Sequence, residues 1–194
     1  QLCNSPTLAL PYGRETEKVS PKLSELTAYI DMIGGASGDM LLGAMVAAGL
    51  DLDELQVELD KFPDRGYRLE KTLVNRGGLQ AILVDVVLDD DGDRKRTWGD
   101  FYSSIESSTL EDSDKRSIKR IFDVLAIAEA SVHGGEAGST HLHELGTVDT
   151  LVDISSTVIG MRLLGVSKIH ASAFPTGTRS EEHTSELQSR RDLV

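Results

Sequence analysis

Residues 26–49 read LTAYIDMIGGASGDMLLGAMVAAG and contain an apolar run, a glycine-rich segment and a second, periodic apolar segment. The run from Leu26 to Met32 is rich in strand formers and stops at two consecutive glycines, so it predicts a buried strand. From Asp39 onward apolar residues recur at helical spacing until Gly49. The stretch therefore predicts a strand, a glycine loop and a helix in direct succession.

The rest of the chain adds a hairpin, further helices and one more strand. A second helix over residues 51–62 is expected to stop before Pro63, and residues 67–75 and 79–88 alternate like the two arms of a β-hairpin. The later elements are a short helix near residues 98–105, a long helix capped by Asp112 or Ser113 and ended by Gly134, a helix over residues 148–164 and a strand over residues 168–173. This order predicts an α/β fold with helices packed on a mixed sheet, as a two- or three-layer sandwich.

The long helix carries an apolar stripe at helical spacing, which we expect to face the core. Its members are Ile118, Ile121, Phe122, Leu125, Ala128 and Val132.

Charge and cysteine content exclude several classes of function. The 194 residues include 20 Lys plus Arg against 32 Asp plus Glu, a net charge of -12, which repels the phosphates of nucleic acid and anionic lipid. No apolar stretch reaches the roughly 18 residues of a membrane span, and no leader precedes the fold, so a cytoplasmic protein is expected. Because Cys3 is the single cysteine, a bound metal should use His, Asp and Glu as ligands.

Composition divides the chain into three segments. Residues 1–25 mix Pro, Ser and charged residues without periodicity and predict a loose N-terminal extension. Residues 26–177 are expected to form one domain. Residues 178–194 turn abruptly polar and look like non-native sequence fused to a truncated reading frame, the alternative being a genuine polar tail. His183 is discounted as a ligand in either case.

A pair of histidines with nearby acids forms the first candidate site. His141 and His143 are two apart, so in an extended segment their imidazoles lie on one side. Glu144 is adjacent, while Asp149 and Asp153 lie four apart at the start of the next helix and can face the same way. Such a set suits nickel, zinc, manganese or iron. The alternative is that Asp149 is an N-cap, Asp153 a solvated residue and the histidines ordinary loop residues.

The glycine loop is the second candidate site. Gly34, Gly35, Ser37 and Gly38 would let the backbone approach a ligand closely, and the amides at the helix start near Asp39 point at an anion such as phosphate. The loop matches neither the P-loop nor the dinucleotide-binding pattern, so a turn without a ligand remains the alternative.

Two acids flank this loop and change what it should bind. Asp31 at the end of the strand and Asp39 at the start of the helix would oppose a phosphate unless a cation lay between them, and they would favour a metal. We expect the imidazoles and the acids to converge on a common cation near the glycine turn. His133 is a weaker ligand candidate, because a histidine at a helix C-terminus is usually held by the helix dipole. The acidic loop over residues 89–93 is expected to be solvated.

Four stretches of the chain resemble one known family. They are YIDMIGGASGDMLLGAMVAAGLD (29–51), LAIAEASVHG (125–134), HLHELGTVDTLVDI (141–154) and LLGVSKIHAS (163–172). They resemble the LarC family of nickel-insertion proteins over about residues 28–177. The resemblance implies a nickel chelatase of the lyase class. Such an enzyme puts Ni(II), its substrate metal, into pyridinium-3,5-bisthiocarboxylic acid mononucleotide, forming one carbon–nickel and two sulfur–nickel bonds. The reaction uses CTP hydrolysis with manganese or magnesium and matures the cofactor of lactate racemase.

The family motifs fall on definite positions of this chain. The ASGDM-like loop falls on residues 36–40, the HxHE block on His141, His143 and Glu144, and the downstream acids on Asp149 and Asp153. Two departures follow. Family members often carry a histidine-rich stretch where this chain has DDDGDRKRTWGD (89–100), so the resemblance does not extend to nickel storage there. The CTP-binding half of the family would follow the strand ending near residue 173, so the chain looks like an N-terminal half.

For this reaction we state a mechanism as a hypothesis. Nickel would be held by His141, His143 and carboxylates and released to the sulfurs of the cofactor one ligand at a time. Glu144 or Asp149 would accept the proton lost from the pyridinium carbon, and the glycine loop would hold the phosphate. Expected partners are the missing C-terminal half or the apo-racemase, with a homo-oligomer also open. The alternatives are a His/Asp metal-dependent hydrolase, a non-catalytic metal-binding or docking module, and an inactive fragment.

Overall fold

A computed structural model describes residues 26–32, 35–76, 78–89, 95–133, 142 and 145–173. The elements in chain order are β1 (Leu26–Ile30), α1 (Gly38–Ala47), α2 (Leu52–Leu59), β2 (Tyr67–Arg76), β3 (Leu79–Leu88), α3 (Trp98–Ser107), α4 (Asp112–His133), α5 (Val148–Leu163) and β4 (Val166–Ala171). Types and order follow the sequence prediction, so the α/β class with a β-hairpin and packed helices is confirmed. The predicted N-terminal extension and C-terminal tail lie outside the described residues.

The strands pair in two separate sheets within the described part of the chain. β1 and β4 run parallel, with Tyr29 opposite His170, whereas β2 and β3 form an antiparallel hairpin. The sequence predicted one mixed sheet, but the hairpin packs on α1 instead. Gly43 permits this close approach, because a Cβ there would overlap the carbonyl oxygen of Ile82.

The prediction that β1 is a buried strand is wrong. Leu26 is 50% exposed and Tyr29 is 74% exposed, whereas Ala28 and Ile30 pack against the core. Alternate side chains of a strand point to opposite faces, and the described residues cover only one face of β1. An apolar run shows that a strand forms, but burial of both faces depends on what packs against each.

The core lies between the helices and the hairpin. Its fully buried large side chains are Phe62, Phe101, Phe122, Leu42, Leu55, Leu59, Ile105, Ile118, Leu151, Ile159, Val84 and Val152. The rings of Phe101 on α3 and Phe122 on α4 lie 5.0 Å apart between centroids, so they hold these two helices together. α5 packs against α1, α2 and α4. The start of α5 is thereby held beside the start of α1.

The start of α2 follows local capping rules, whereas the start of α4 differs from its prediction. The side chain of Asp51 accepts hydrogen bonds from the amides of Asp53 and Glu54 at 2.9 and 3.2 Å, which begins α2. The predicted cap of α4 by Asp112 or Ser113 is wrong, because the helix already begins at Asp112. Both residues therefore lie in its first turn.

The core face predicted for α4 is wrong at three positions. Ile121, Ala128 and Val132 are exposed. Ile118 and Phe122 are fully buried, and the buried stripe continues through Ala126 rather than Leu125. α4 carries apolar side chains on more than one of its faces. Periodicity alone therefore did not separate the face that packs on the core from the face that borders a cleft.

Arg162 on α5 joins three helices through ion pairs. Its Nη2 lies 2.6 Å from Oε2 of Glu58 on α2, and its Nε lies 2.9 Å from Oδ2 of Asp114 on α4. Burial raises the pKa of Glu58, but Lys61 and Arg162 together outweigh that effect and hold the pKa below its usual value. The network fixes the position of α5, on which the acidic candidate residues lie.

Candidate functional site

A cleft between α1, α4 and α5 brings together residues from both predicted sites. Its volume is about 850 Å³. The lining includes Ser37 and Gly38 of the glycine loop, Asp153 and Thr150 of α5, and Arg120 of α4. We call this space the α1–α4–α5 cleft. Most of its remaining wall is apolar, with side chains such as Leu41, Ile121, Val124, Leu125 and Ile154.

Gly38 and Asp153 are in direct contact in this cleft. A Cβ on Gly38 would overlap Cγ and Oδ2 of Asp153, so only glycine allows the loop to lie against this carboxylate. Gly38 is the first residue of α1, and Asp153 lies in the second turn of α5. The contact therefore joins the glycine loop to the acidic start of α5.

The surroundings of this contact disfavour the ionised form of Asp153. Burial raises the pKa of Asp153 to about 6, and the negative charges of Asp149 and Asp39 act in the same direction. Ser37 Oγ donates a hydrogen bond to Oδ1 of Asp39, which fixes that carboxylate at the first turn of α1. A cation placed here would relieve the repulsion, whereas an unbalanced phosphate would increase it.

The ordinary structural roles considered for Asp149 and Asp153 are wrong. The N-cap of α5 is Thr147, and Asp149 lies in the first turn of the helix. Asp153 is half-buried against Gly38 instead of being solvated. Neither position is explained by helix capping.

Asp31 lies in a neighbouring cleft. It lines a space of about 540 Å³ between β1 and α1 together with Gly35 and Ala36. The end of β1 is tied to the end of β4 because the amide of Met32 donates a 2.8 Å hydrogen bond to Ser172 Oγ. Asp31 does not line the α1–α4–α5 cleft, so the structure does not bring it to the acids of α5.

The histidine block lies mostly outside the described residues, as do Gly34 and residues 90–94. His141, His143 and Glu144 are among those not described, whereas Leu142 between them is 8% exposed and belongs to the core. Within the ranges that the structure does describe, no three His, Cys, Asp or Glu side chains are grouped closely enough to hold a metal ion. The predicted metal site therefore depends on His141, His143 and Glu144.

The backbone that leads into α5 is packed against the loop before α3. The amide of Arg96 donates a 2.7 Å hydrogen bond to the carbonyl of Gly146. A Cβ on Gly146 would lie 2.9 Å from the carbonyl oxygen of Arg96 and 3.3 Å from that of Leu142, tighter than a side chain tolerates without adjustment. These contacts fix the backbone at Gly146, two residues before α5 begins.

Sequence reasoning missed Arg120 and the apolar wall of the cleft. Arg120 is exposed on α4 and is the single cationic side chain among the described residues that line the cleft. Its charge was visible in the sequence, but which helix face opens on a cleft depends on packing. Leu145, Thr150 and Ile154 were missed for the same reason.

The chain matches the protein-family model described as nickel insertion protein over residues 28–184. It belongs to the nickel insertion protein family. The match includes all four stretches on which the resemblance to the LarC family was based, so that resemblance is confirmed. The predicted boundaries at residues 25/26 and 177/178 stay predictions.

Curated relatives in this family carry related names. Pyridinium-3,5-bisthiocarboxylic acid mononucleotide nickel insertion protein of Nocardioides sp. is 38% identical over 154 residues, covering 79% of this chain and 39% of that protein. The protein of the same name from Geobacillus kaustophilus is 34% identical over 158 residues, covering 77% and 38%. A relative from Citrifermentans bemidjiense, also named for nickel insertion, is 40% identical over 150 residues, covering 77% and 39%.

The chain thus spans about two fifths of the length of these family members. No solved structure matches it. Among the helices of the described residues, none combines the length and hydropathy that crossing a membrane requires. The cytoplasmic location and the homo-oligomer stay predictions from the sequence.

Proposed function

We propose that this chain holds Ni(II) and delivers it to pyridinium-3,5-bisthiocarboxylic acid mononucleotide, as the N-terminal part of a nickel chelatase. Family membership and the names of the relatives support the reaction. The contact between Gly38 and Asp153 supports the place, since it puts a half-buried carboxylate beside a backbone that a ligand can approach. That contact is the single structural observation that supports the location of the site.

The ligand set is His141, His143, Glu144, Asp149 and Asp153, with Asp39 contributing negative charge. Nitrogen and oxygen donors bind Ni(II) well, yet each can be replaced in turn by a thiocarboxylate sulfur of the incoming substrate. The raised pKa of Asp153 suits this role, because burial and the charges of Asp149 and Asp39 make its ionised carboxylate costly and a bound cation would offset that cost. Asp31 belongs to the proposal only as a second, outlying acid, since it lines the neighbouring cleft.

The substrate is expected to lie along the glycine loop. Gly34, Gly35, Ser37, Gly38 and Asp39 would contact it, as the pattern of the loop predicts. When the carbon–nickel bond forms, the pyridinium carbon loses a proton, and Glu144 or Asp149 would accept it. The electron pair of the broken C–H bond then forms the bond to nickel.

We further propose that the full-length protein hydrolyses CTP with manganese or magnesium and belongs to the lyase class. The relatives are more than twice as long as the matched region, which favours a nucleotide site in the remainder of the full-length protein. The greater length of the relatives also favours one alternative. In that alternative the present chain binds metal or docks a partner, and catalysis requires the remainder of the full-length protein or the apo-racemase.

The test is a nickel titration of the purified chain by calorimetry. Replacing His141 and His143 together by Ala should weaken Ni(II) binding by about tenfold or more, and Asp153→Asn should weaken it by a smaller factor. The matched control is Asp85→Asn, which removes an exposed carboxylate on the hairpin. Unchanged affinity in the double histidine variant would place the nickel site elsewhere.

A further inference from the structure

We infer that the α1–α4–α5 cleft binds the pyridinium mononucleotide in one orientation, with its phosphate on Arg120 and its ring along the apolar wall toward Asp153. This inference rests on the proposed function for the identity of the substrate. It adds Arg120 and reverses the orientation expected from the sequence, which placed the phosphate on the glycine loop.

The wall of the cleft has the chemistry of an aromatic ring site. Ile121 and Val124 of α4 are 40% and 63% exposed, although both are large apolar side chains. They line the same cleft as Leu125 and Ile154, which are half-buried. Small-molecule sites are typically concave and mostly apolar, with a few polar groups that fix orientation. The cleft of about 850 Å³ has room for a mononucleotide.

Arg120 is suited to bind a phosphate. Arg65, Arg68, Arg96 and Arg162 all form ion pairs, but Arg120 makes none with any described residue. Among the described residues that line the cleft, Arg120 is the cation, so in a chain of net charge -12 its guanidinium supplies a local attraction for an anion. Its planar donors match phosphate oxygens in pairs.

The acids decide the orientation. Helix N-termini ordinarily attract phosphate, but the start of α1 already carries Asp39, and Asp153 lies against Gly38. A phosphate at that end would meet two carboxylates, whereas at Arg120 it meets a cation. The ring, with its positively charged nitrogen and its metal-binding thiocarboxylates, then lies toward the acids that are proposed to hold nickel.

The test compares two ligands that differ only in phosphate. Nicotinic acid mononucleotide and its nucleoside, nicotinic acid riboside, are titrated into the full chain by calorimetry at low salt. Arg120→Ala should weaken mononucleotide binding by about tenfold and change nucleoside binding by less than about twofold, because only the mononucleotide has the phosphate. The matched control is Arg116→Ala, an exposed arginine one turn earlier on α4 that does not line the cleft.

A second variant tests the ring site. Val124→Asn places a neutral polar group on the apolar wall and should weaken both ligands by similar factors. Three results would overturn the inference: no binding of the mononucleotide to the unsubstituted chain, equal losses for both ligands in Arg120→Ala, or no loss in that variant.

Nickel titration of the same variants separates this inference from the proposed function. Arg120→Ala should leave Ni(II) affinity unchanged. If the double histidine variant also leaves Ni(II) affinity unchanged while Arg120→Ala selectively weakens the mononucleotide, the nickel site fails and the phosphate site stands. If instead the double histidine variant loses Ni(II) affinity while Arg120→Ala does not selectively weaken mononucleotide binding, only the phosphate site is refuted.

Discussion

Gly38 and Asp153 pack so closely that a single methyl group on the glycine would occupy the space of the carboxylate. They are far apart in sequence, and the contact places the glycine loop and the acidic start of α5 at one cleft. The same closeness buries half of Asp153 among other carboxylates, which raises its pKa to about 6. The contact with Gly38 therefore both holds the two helices together and contributes to the raised pKa of Asp153.

Gly38→Ala should destabilise the chain by about 1–3 kcal/mol, because the added Cβ forces the loop or Asp153 to move. Urea denaturation, which gives the free energy of unfolding, measures this loss of stability. Gly99→Ala on α3 is the control, since the nearest atom to its Cβ is Thr97 Oγ1 at 3.7 Å. Equal stabilities of the Gly38 variant and the unsubstituted chain would show that the contact is loose.

Asp153→Asn should flatten part of the pH dependence of stability in metal-free buffer. The folded chain holds the proton of Asp153 up to about pH 6, whereas the ordinary pKa of an aspartate side chain is 3.8. Stability therefore falls as pH rises through this range, and the charged form is the costly one above it. After allowance for partial exposure, Asn should add about 1–2 kcal/mol at pH 7. Urea midpoints from pH 4 to 7 test this, and Asp85→Asn should keep the slope.

Arg162→Met should cost about 3 kcal/mol of unfolding free energy, because it leaves Asp114, whose side chain is 5% exposed, without its cation. Glu58 keeps Lys61 at 2.6 Å and suffers less. The exposed pair of Arg68 and Glu70 offers the comparison, and Arg68→Ala should cost less than about 1 kcal/mol. Similar losses for both arginines in denaturant titrations would refute a structural role for the buried network.

Ile118→Ala and Val132→Ala should separate the two faces of α4. Ile118 is fully buried, so its truncation should cost about 2–4 kcal/mol, whereas Val132 is 77% exposed and should cost less than about 0.5 kcal/mol. Thermal or urea unfolding of the two variants distinguishes the observed core face from the stripe predicted by periodicity. A large loss for Val132 would support the original prediction.

The sequence by itself determined the types and order of the elements, because strand formers, helical periodicity, glycines and caps act over a few residues. It also marked the glycine loop and the acids of α5 as chemical candidates, and its motifs indicated the family. The burial of β1, the core face of α4 and the separation of the sheets required knowledge of what packs on each face.

Only the tertiary structure decided which candidates share a cleft. Asp153 reaches Gly38 because α5 packs against α1, whereas Asp31 lies in the neighbouring cleft between β1 and α1. Arg120 faces the same space as Asp153 because α4 turns one apolar face to the core and leaves another open. Such relationships join residues distant in the chain through the packing of helices, and no local pattern of residue types encodes them.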